Sequence, residues 1–455
     1  MTDSSKHSTV VGGGLAGIVT ALILARRGNS VTLVEAADSC GGLLQSFHNE
    51  DGVPFDYGTH ILKEVGIAGL DELLFGHFQE DDWQRLDRLR VGGYFGGEMY
   101  PTSQFVDLRR LPDSIYESAV GELLALQSDG ASPAADARTH SELTYGPTIT
   151  NEVLEPLMAK LYGCQLDQLE PSALALVGCS RFILFDRERT RELKKDAVLD
   201  RKLGFTTWDD GISPLMNFYP TSSGVHIWLD ALLDQLRDIG VTVLTGTSVT
   251  GVTIDGNRVG SVELSIGAVL QTDELYWTVS PAFLLKAAGS PFPKGITPPQ
   301  FRSTALVNFV FDRNFLTDLY FYYCHDPELL TYRTTFYSNL RSADRGKAPF
   351  NCTVEVMSDE ATVSRPDLAE LLLTEMRGMG VIGRDHRVTY QKVISSPKGF
   401  PLPTTGYAKN SITLADHCEK LADNIHLFGR ATGKTHFMHE VLAEIWNALE
   451  SAESG

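Results

Sequence analysis

The feature that most constrains the fold of this chain is a glycine-rich turn near its N-terminus. Residues 8–11 are typical of a short β-strand, residues 15–27 of a helix, and residues 31–35 of a second strand. The turn between the first strand and the helix, residues 12–17, has the spacing G-x-G-x-x-G, and an acid, Glu35, ends the second strand. This βαβ unit predicts a domain that binds a dinucleotide.

Each part of the turn has a physical role in that prediction. Gly12 permits the tight turn, Gly14 lets a pyrophosphate approach the backbone, and Gly17 lets the helix pack close to the strand. The helix N-terminus, at Leu15 and Ala16, supplies partial positive charge for the phosphates. An ordinary glycine turn is the alternative interpretation, and the flanking strands, helix and terminal acid disfavour it.

A second pair of glycines follows the second strand directly. Glu35 and Ala36, at the end of that strand, are expected to contact the adenosine, and Glu35 to accept hydrogen bonds from its ribose. In the next loop, Gly41, Gly42 and Leu43 would pass close to the phosphates and ribityl chain of a flavin nucleotide. The loop favours FAD over NAD as cofactor, although a surface turn has a similar composition.

The rest of the chain is organised around this unit. The length of 455 residues suggests about three structural units. Apolar spacing predicts a helix over residues 225–237, followed by strands, and a closing strand and helix over residues 425–428 and 438–449. The predicted fold is α/β, with three parts: a discontinuous Rossmann-type FAD-binding domain (residues 1–70, 211–280 and 408–455), a mainly helical insertion (residues 71–210, including an exposed loop at 128–141), and a β-rich substrate domain with a mixed or antiparallel sheet (residues 281–407).

Charge and cysteine content exclude several classes of function. The 39 Lys and Arg residues against 58 Asp and Glu give a net charge of −19, which disfavours nucleic acid and anionic membrane surfaces as partners. The six cysteines contain no C-x-x-C pair, so neither a metal site nor a disulfide framework is predicted. No export signal and no transmembrane segment are evident, and we expect a cytoplasmic protein.

Three segments together resemble one branch of a large flavoprotein group. These are the N-terminal βαβ unit, the glycine pair at 41–42, and the run Phe55-Asp56-Tyr57-Gly58-Thr59-His60. The branch is that of UDP-galactopyranose mutase, and the group also contains protoporphyrinogen oxidases and amine oxidases. In those enzymes a Tyr-Gly-x-His turn lies over the isoalloxazine, so the resemblance places Gly58, Thr59 and His60 at the flavin. A core histidine bonded to a backbone carbonyl is the alternative for His60.

The C-terminal segment resembles the closing FAD motif of the same group. There a helix N-terminus meets a flavin carbonyl and stabilises the reduced ring. This resemblance implies the following cofactor-binding residues: Gly429, Arg430, His436, Phe437 and Met438. A further cofactor contact is expected from Val249, in the strand at 249–254.

Three arginines resemble residues that face the substrate in the mutases. Arg181 ends a stretch similar to the mutase segment, with one extra residue, Arg302 stands in a segment similar to Tyr-Arg-Ser, and Arg333 follows a tyrosine much as in a Tyr-Thr-Arg turn. A guanidinium gives a diphosphate paired, charge-assisted hydrogen bonds. The resemblance therefore implies that Arg181, Arg302 and Arg333, with His60, form the catalytic site, although each arginine alone could lie on the surface.

The chain also departs from the mutase pattern. Lys63 stands where the mutases have a second histidine, and tyrosines that hold the diphosphate are replaced by Phe400 and by Thr435 or His436. These departures leave the identity of the sugar open.

The resemblance implies a redox-neutral isomerase that interconverts pyranose and furanose forms of a sugar linked to a nucleotide diphosphate. It further implies that FAD acts in its reduced form through a covalent sugar adduct at N5, with NAD(P)H or a flavin reductase as the electron source. A homo-oligomer is compatible with this hypothesis.

Two other functions fit the FAD motifs. One is an FAD-dependent oxidase or desaturase of the amine oxidase or protoporphyrinogen oxidase type, which would have a mostly apolar substrate pocket and produce peroxide. The other is a flavin-binding protein without catalysis.

Overall fold

The computed structural model describes residues 6–126 and 134–451. Its strands, in chain order, are β1 (His7–Val11), β2 (Ser30–Val34), β3 (Ser46–His48), β4 (Pro54–Asp56), β5 (Leu62–Lys63), β6 (Trp83–Leu86), β7 (Val91–Phe95), β8 (Glu98–Tyr100), β9 (Val106–Asp107), β10 (Phe182–Ile183), β11 (Asn217–Pro220), β12 (Thr242–Leu244), β13 (Val249–Asp255), β14 (Arg258–Leu264), β15 (Val269–Gln271), β16 (Glu274–Trp277), β17 (Phe301–Phe311), β18 (Phe321–Cys324), β19 (Thr331–Phe336), β20 (Phe350–Ser358), β21 (Val388–Pro401) and β22 (Ile425–Leu427).

The α-helices, in chain order, are α1 (Leu15–Arg26), α2 (Ala68–Phe75), α3 (Asp113–Ala125), α4 (Ala137–Thr144), α5 (Pro147–Ile149), α6 (Glu155–Tyr162), α7 (Ser172–Leu176), α8 (Arg187–Leu193), α9 (Ala197–Lys202), α10 (His226–Asp238), α11 (Pro281–Ala287), α12 (Tyr337–Leu340), α13 (Glu360–Val363), α14 (Leu368–Gly378), α15 (Tyr407–Glu419) and α16 (Met438–Ser451). A π-helical turn, Thr150–Leu154, joins α5 to α6.

The first sheet is parallel and contains segments that are distant in sequence. Its strand order is β12-β2-β1-β16-β22, and every neighbouring pair is parallel. Helices α1, α10 and α16 pack together in one apolar core with residues of these strands. A parallel sheet is covered on both faces, and this explains why β1, β2 and the middle of α1 are almost continuously buried. The predicted α/β fold class is confirmed.

The second large sheet is mostly antiparallel, with the order β21-β17-β20-β19-β18-β7-β8. Helix α14 covers one face and shares an apolar core with alternate residues of β17 and β20. Strands β7 and β8 lie in the segment predicted to be mainly helical, but they extend this sheet, and β7 pairs with β18 in parallel. The glycines of β7 explain the difference, because they interrupt the apolar alternation that a strand prediction needs.

Helices α3 to α9 form a separate apolar core next to the second sheet. The predicted loop at 128–141 is wrong over residues 137–141, which belong to α4. Asp136 caps this helix by accepting a hydrogen bond from Thr139 N at 2.7 Å. Residues 128–133 lie outside the described residues. The positions of the domain boundaries remain predictions.

Across residues 6–126 and 134–451, no helix has both the length and the apolar character needed to cross a membrane.

Candidate functional site: a dinucleotide cradle and a charged cluster

The glycine-rich turn has the backbone geometry that its sequence predicts. Gly12 has a φ of +107°, in the region that favours glycine, and its N–H donates to Val34 O at 2.8 Å. A Cβ on Gly17 would lie 1.8 Å from Gly12 O, so only glycine lets α1 pack this closely against the turn. A Cβ on Gly14 would meet no atom within 4 Å. The space beside Gly14 is therefore open to a ligand.

The second glycine loop faces this opening. Gly41 N donates to Gly13 O at 2.7 Å, which holds the two loops together. A Cβ on Gly42 would lie 3.8 Å from the Cα of Gly14. Leu43, next in the loop, has an exposed fraction of 64%. The glycines of both loops thus leave backbone facing the same space, as the phosphates of a dinucleotide require.

Glu35 orders the end of the cradle. Its carboxylate accepts hydrogen bonds from Gly13 N at 2.6 Å and from Ala37 N at 2.8 Å. A cavity of about 480 Å³ lies beside it, with a lining that includes Gly12, Glu35, Ala36, Val249 and Phe283. Four of these residues are predicted cofactor contacts. The cavity and the open glycine loops fit a dinucleotide.

The C-terminal motif meets the first turn. A Cβ on Gly429 would lie 3.4 Å from Thr278 O and 3.8 Å from the Cβ of Ala16, next to Leu15 at the start of α1. Arg430 is exposed. The structure therefore brings Gly429 to the helix end that the sequence predicts as a phosphate site.

The segment before α16 is held by a carboxylate that the sequence analysis missed. Glu440 Oε2 accepts hydrogen bonds from His436 N at 2.9 Å and Phe437 N at 3.0 Å. Burial acts to raise the pKa of Glu440, but these backbone donors lower it, and the net shift is downward. Phe437 has an exposed fraction of 40%, and Met438 packs against the core around α1.

The turn at 58–60 adopts the geometry of the alternative interpretation for His60. His60 Nε2 lies 3.1 Å from Tyr57 O, and since a carbonyl can only accept, Nε2 carries the proton. Burial lowers the pKa of His60, Asp56 acts to raise it, and Arg333 adds to the lowering. His60 is therefore neutral near pH 7. A role beside the flavin remains a prediction.

A buried carboxylate joins this turn to one of the predicted arginines. Glu355 accepts two hydrogen bonds from Arg333, from Nε and from Nη2, each at 2.8 Å. It also accepts bonds from the N–H and the hydroxyl of Thr59, at 3.2 and 3.1 Å. Gly58 lies against the same carboxylate, because a Cβ there would be 3.5 Å from Glu355 Oε2. The structure thus brings Gly58, Thr59 and Arg333 together around Glu355.

The charges of this pair stabilise each other. Burial acts to raise the pKa of Glu355, but the Arg333 charge and its hydrogen bonds lower it, and the net shift is downward. Burial acts to lower the pKa of Arg333, but Glu355 raises it well above its ordinary value. The Arg333 guanidinium also lies 5.6 Å from the ring centres of both Tyr323 and Tyr332. Arg333 is therefore not a free cation in this structure.

The other two arginines have different surroundings. Arg302 Nε donates to Leu161 O at 3.1 Å and Nη2 to Lys160 O at 3.4 Å, so its guanidinium sits at the C-terminal end of α6. Arg181 is partly buried and makes no hydrogen bond or ion pair with any residue in the described ranges. Arg302 and Arg333 thus have separate partners and Arg181 has none among the described residues, so the joint hold of the three on a diphosphate remains a prediction.

A second buried carboxylate fixes the approach to the His60 turn. Asp56 has an exposed fraction of 0% and accepts hydrogen bonds from Ser46 Oγ at 2.6 Å, Tyr219 Oη at 2.6 Å and Val225 N at 2.9 Å. Val225 is the N-terminal cap position of α10, where a negative charge is favourable.

The sequence contained signals for both carboxylates. Asp56 is part of the motif that carries the resemblance. Glu355 is an acid within the buried, otherwise uncharged strand β20, and an unexplained acid in such a strand indicates a buried partner. Its partners Thr59 and Arg333 could not be identified without the register of the sheet. Within the described ranges, no group of three or more His, Cys, Asp or Glu side chains could hold a metal ion.

Comparison with known proteins agrees with this architecture. Residues 10–70 match the NAD(P)-binding Rossmann-like domain family, which confirms the dinucleotide-binding prediction for the N-terminal unit. A 4,4'-diaponeurosporene oxygenase from Staphylococcus aureus (strain bovine RF122 / ET3-1) is 25% identical over 291 residues, which cover 59% of this chain and 54% of the oxygenase. The chain thus spans about half the length of the curated relatives it matches.

Two solved structures have similar folds over nearly the whole chain. A reduced UDP-galactopyranose mutase gives a TM-score of 0.78 at 18% identity, over 99% of this chain and 96% of that one. A protein from Exiguobacterium sp. 255-15, provisionally described as a protoporphyrinogen oxidase, gives a TM-score of 0.67 at 16% identity, over 99% of each chain. At these identities the likeness concerns the fold. The chain therefore has the fold of UDP-galactopyranose mutase and of the flavoprotein group that its sequence motifs resemble.

Proposed function

We propose that the chain is an FAD-dependent enzyme that isomerises a sugar linked to a nucleoside diphosphate, without net consumption of electrons. Reduced FAD, bound at this site, would supply the nucleophilic flavin nitrogen that such an isomerisation needs. NAD(P)H or a flavin reductase is the expected source of electrons.

The residues that would hold FAD are those of the cradle. The open backbone at Gly14 and Gly42 would accept the pyrophosphate, and the cavity beside Glu35 would accept the adenosine. The turn at 58–60 and the N-terminal end of α16 would lie at the isoalloxazine. Glu440 already satisfies two N–H groups of that end, so only the remaining donors could serve the flavin.

The observation that carries the choice of substrate class is the charged cluster at the His60 turn. Glu355 links Thr59 of this turn to Arg333 on β19, so the sheet face that meets the turn is polar and charged. A cleft for an apolar hydride donor would bury such groups at a cost. A sugar diphosphate, rich in hydroxyl and phosphate oxygens, gives their donors partners instead.

The contacts of the arginines suggest different roles for them. Arg181 has no described partner, and the carbonyls at the end of α6 hold Arg302 through Nε and Nη2, which leaves donors of both available to a diphosphate. Glu355 neutralises Arg333, which then adds directed donors but no net charge. We therefore propose that Arg181 and Arg302 carry most of the diphosphate interaction and that Arg333 orients the sugar.

His60 completes the site as a neutral donor. Its proton lies on Nε2 and is directed to Tyr57 O, so the ring braces the turn and adds no charge near the diphosphate. We infer that His60 maintains the shape of the turn against the flavin.

The test is turnover of a panel of nucleotide sugars by the FAD-loaded protein. We expect product only after reduction with dithionite, with no electrons consumed per turnover, and we expect UDP to perturb the flavin spectrum. Turnover that consumes oxygen stoichiometrically and releases peroxide would instead support the oxidase or desaturase alternative, which the similarity to an oxygenase and to a protoporphyrinogen oxidase-like fold favours. Absence of any turnover and of any UDP effect would favour flavin binding without catalysis.

A further inference from the structure

One cavity of the structure is lined in part by Lys63, which stands three residues after His60 in the sequence. Lys63 occupies the position where the mutases have a second histidine. The cavity has a volume of about 300 Å³, and its lining includes Lys63, Gln104, Phe105, Phe205, Trp208 and Asn217. It combines aromatic walls with a few polar groups, which is the usual composition of a small-molecule site.

Lys63 is the unusual member of this lining. It is partly buried, on strand β5, and its ammonium makes no hydrogen bond or ion pair with any of the residues that the structure describes. Its ammonium is therefore available to pair with an anionic group of a ligand in this cavity.

The other charges around the cavity leave this positive charge in place. Arg88 also lines the cavity, but Asp209 neutralises it through a hydrogen bond of 2.6 Å. Asp87 is the remaining acid of the lining, and it is exposed at the rim. Behind the Phe205 ring lies Lys194, whose Nζ is 4.2 Å from the ring centre.

The Lys194 ammonium is paired on that side of the ring, because it lies 2.7 Å from Asp200 Oδ1 and donates to Asp200 O at 3.0 Å and Leu203 O at 2.9 Å. Burial lowers the pKa of the Lys194 ammonium, the hydrogen bond to Asp200 acts to raise it, the Arg181 charge adds to the lowering, and the net shift is downward. Asp200 thus neutralises Lys194, and Lys63 is the one cation of the cavity lining whose charged group makes no hydrogen bond or ion pair within the described ranges.

The walls suit a flat, polar molecule. The Trp208 indole N–H is already used, since it donates to Val91 O at 2.6 Å, so the ring offers the cavity an apolar surface. Asn217 donates to Leu86 O at 3.2 Å and keeps its amide oxygen available for a hydroxyl group. Aromatic faces together with amide groups are well suited to a sugar ring.

One chain of contacts connects this cavity to the charged cluster. Gln104 O accepts a hydrogen bond from His325 Nε2 at 3.0 Å, and the His325 ring stacks on Tyr323 at 6.1 Å. The Tyr323 hydroxyl in turn accepts a bond from Arg333 Nη1 at 3.4 Å. A series of three contacts thus joins Gln104 in the cavity lining to Arg333, for which the proposed function gives the role of orienting the sugar.

We propose that this cavity receives an acidic sugar and that Lys63 pairs with its carboxylate, so that the substrate class is a nucleotide-linked sugar acid. This inference rests on the proposed function for the nucleotide part. The carboxylate requirement depends on Lys63 alone, and it distinguishes this chain from enzymes that act on neutral hexoses.

The experiment compares two probes that differ only at one carbon, UDP-glucuronate and UDP-glucose, with UDP itself as the reference. Calorimetric titration of the FAD-loaded protein should give at least about tenfold tighter binding of UDP-glucuronate, since one charge-assisted hydrogen bond has this magnitude. In Lys63→Met the ratio should fall to about one while the affinity for UDP is unchanged. Lys63→Arg, which keeps the charge, should retain a preference.

A matched control removes the same charge elsewhere. Lys420, just after α15, is exposed, and Lys420→Met should keep the wild-type ratio. Equal binding of the two probes by the wild type, or a ratio that persists in Lys63→Met, would overturn the proposal.

Failure of the proposed function gives a different result. If UDP does not bind, the same titrations are made with free D-glucuronate and D-glucose at millimolar concentration. Binding of glucuronate that depends on Lys63 would then still support the carboxylate site, and its absence, or its persistence in Lys63→Met, would exclude the site.

Discussion

The cradle at residues 12–17 and the cluster around Glu355 are both tightly constrained, but by different means. The cradle consists of backbone within one βαβ unit, and some of its positions, such as Gly17, have no room for a side chain. The cluster consists of side chains from β20, β19 and the turn at 58–60. A site of the first kind can be predicted from a short segment of sequence, whereas a site of the second kind depends on sheet register.

The two regions also differ in the kind of interaction that stabilises them. The turn at residues 12–17 has no charged side chain, so its stability depends on close packing of backbone. The cluster holds two opposite charges largely out of water, with 19% of the Arg333 side chain and 13% of the Glu355 side chain exposed, and each charge stabilises the other. We therefore expect single substitutions to act more severely in the cluster than in the cradle.

The largest effect is expected for Glu355→Ala. It leaves the buried Arg333 charge without its partner and removes the acceptor of two hydrogen bonds that Thr59 donates. Breaking a buried pair on one side costs about 3–5 kcal/mol of the free energy of unfolding, which urea unfolding of the FAD-loaded protein measures. The double variant Glu355→Ala, Arg333→Met should recover part of this loss. If the single variant loses less than about 1 kcal/mol, the pair is not the buried element described here.

Acid should reproduce part of that loss. The folded-state pKa values of His60 and Glu355 are both lowered, so the unfolded chain binds protons first as the pH falls. Stability should decrease as the pH drops below 6.5, the ordinary value for His60, and again at lower pH as Glu355 is titrated. Urea unfolding at a series of pH values measures this. His60→Gln should reduce the upper phase without removing it, because burial also lowers the pKa values of His77, His140, His226 and His325. An unchanged profile in that variant would contradict the assignment.

In the cradle, two glycines that look equivalent in sequence should behave differently. Gly17→Ala forces a Cβ against Gly12 O and should cost about 1–3 kcal/mol of stability even without cofactor. Gly14→Ala meets no atom of the chain within 4 Å, so the apoprotein should unfold normally while FAD affinity falls. Thermal unfolding of the apoprotein and flavin absorbance after reconstitution separate the two effects. Equal loss of apoprotein stability in both variants would show that the space at Gly14 is not reserved for a ligand.

The sequence predicted the cradle because its information is short-range. Gly12, Gly14, Gly17 and Glu35 lie within one βαβ unit, and their spacing alone implies their geometry. The parallel sheet could be inferred in the same way, since its apolar runs are buried on both faces.

The cluster could be predicted only in part. Arg333 and His60 were found by resemblance, but nothing near either of them in sequence indicates that Glu355 would neutralise one and influence the other. That contact follows from the pairing of Arg333 with Glu355 between β19 and β20, a register that no local pattern specifies. The strands β7 and β8 were missed for a related reason, because their place in the sheet depends on a long-range pairing with β18.

A smaller change in free energy is expected for Arg302, which lies apart from both regions, and it concerns UDP binding and not folding. Arg302→Ala should remove most activity and weaken UDP binding about tenfold or more, since it deletes charge-assisted donors, while FAD content stays normal. Titration with UDP, followed by the flavin spectrum, measures this. Arg302→Lys is the matched control, and it should keep part of the affinity because the charge remains. Unchanged UDP affinity in Arg302→Ala would remove this residue from the diphosphate site.

The smallest change in the free energy of unfolding should be at Glu440. Like Glu355 in the cluster, it is a carboxylate that accepts hydrogen bonds, but its partners lie within the same short segment, as in the cradle. Its carboxylate accepts the N–H groups of His436 and Phe437 within the same segment, so Glu440→Ala should cost only about 1 kcal/mol of the free energy of unfolding, as for a helix cap. Glu440→Gln keeps an acceptor oxygen and should lose less. Because the pKa of Glu440 is lowered, the difference between wild type and Glu440→Gln should shrink as the pH falls and the carboxylate is protonated. Urea unfolding at two pH values checks both expectations. A loss at Glu440 as large as that at Glu355 would mean that long-range assembly does not explain the contrast between the two regions.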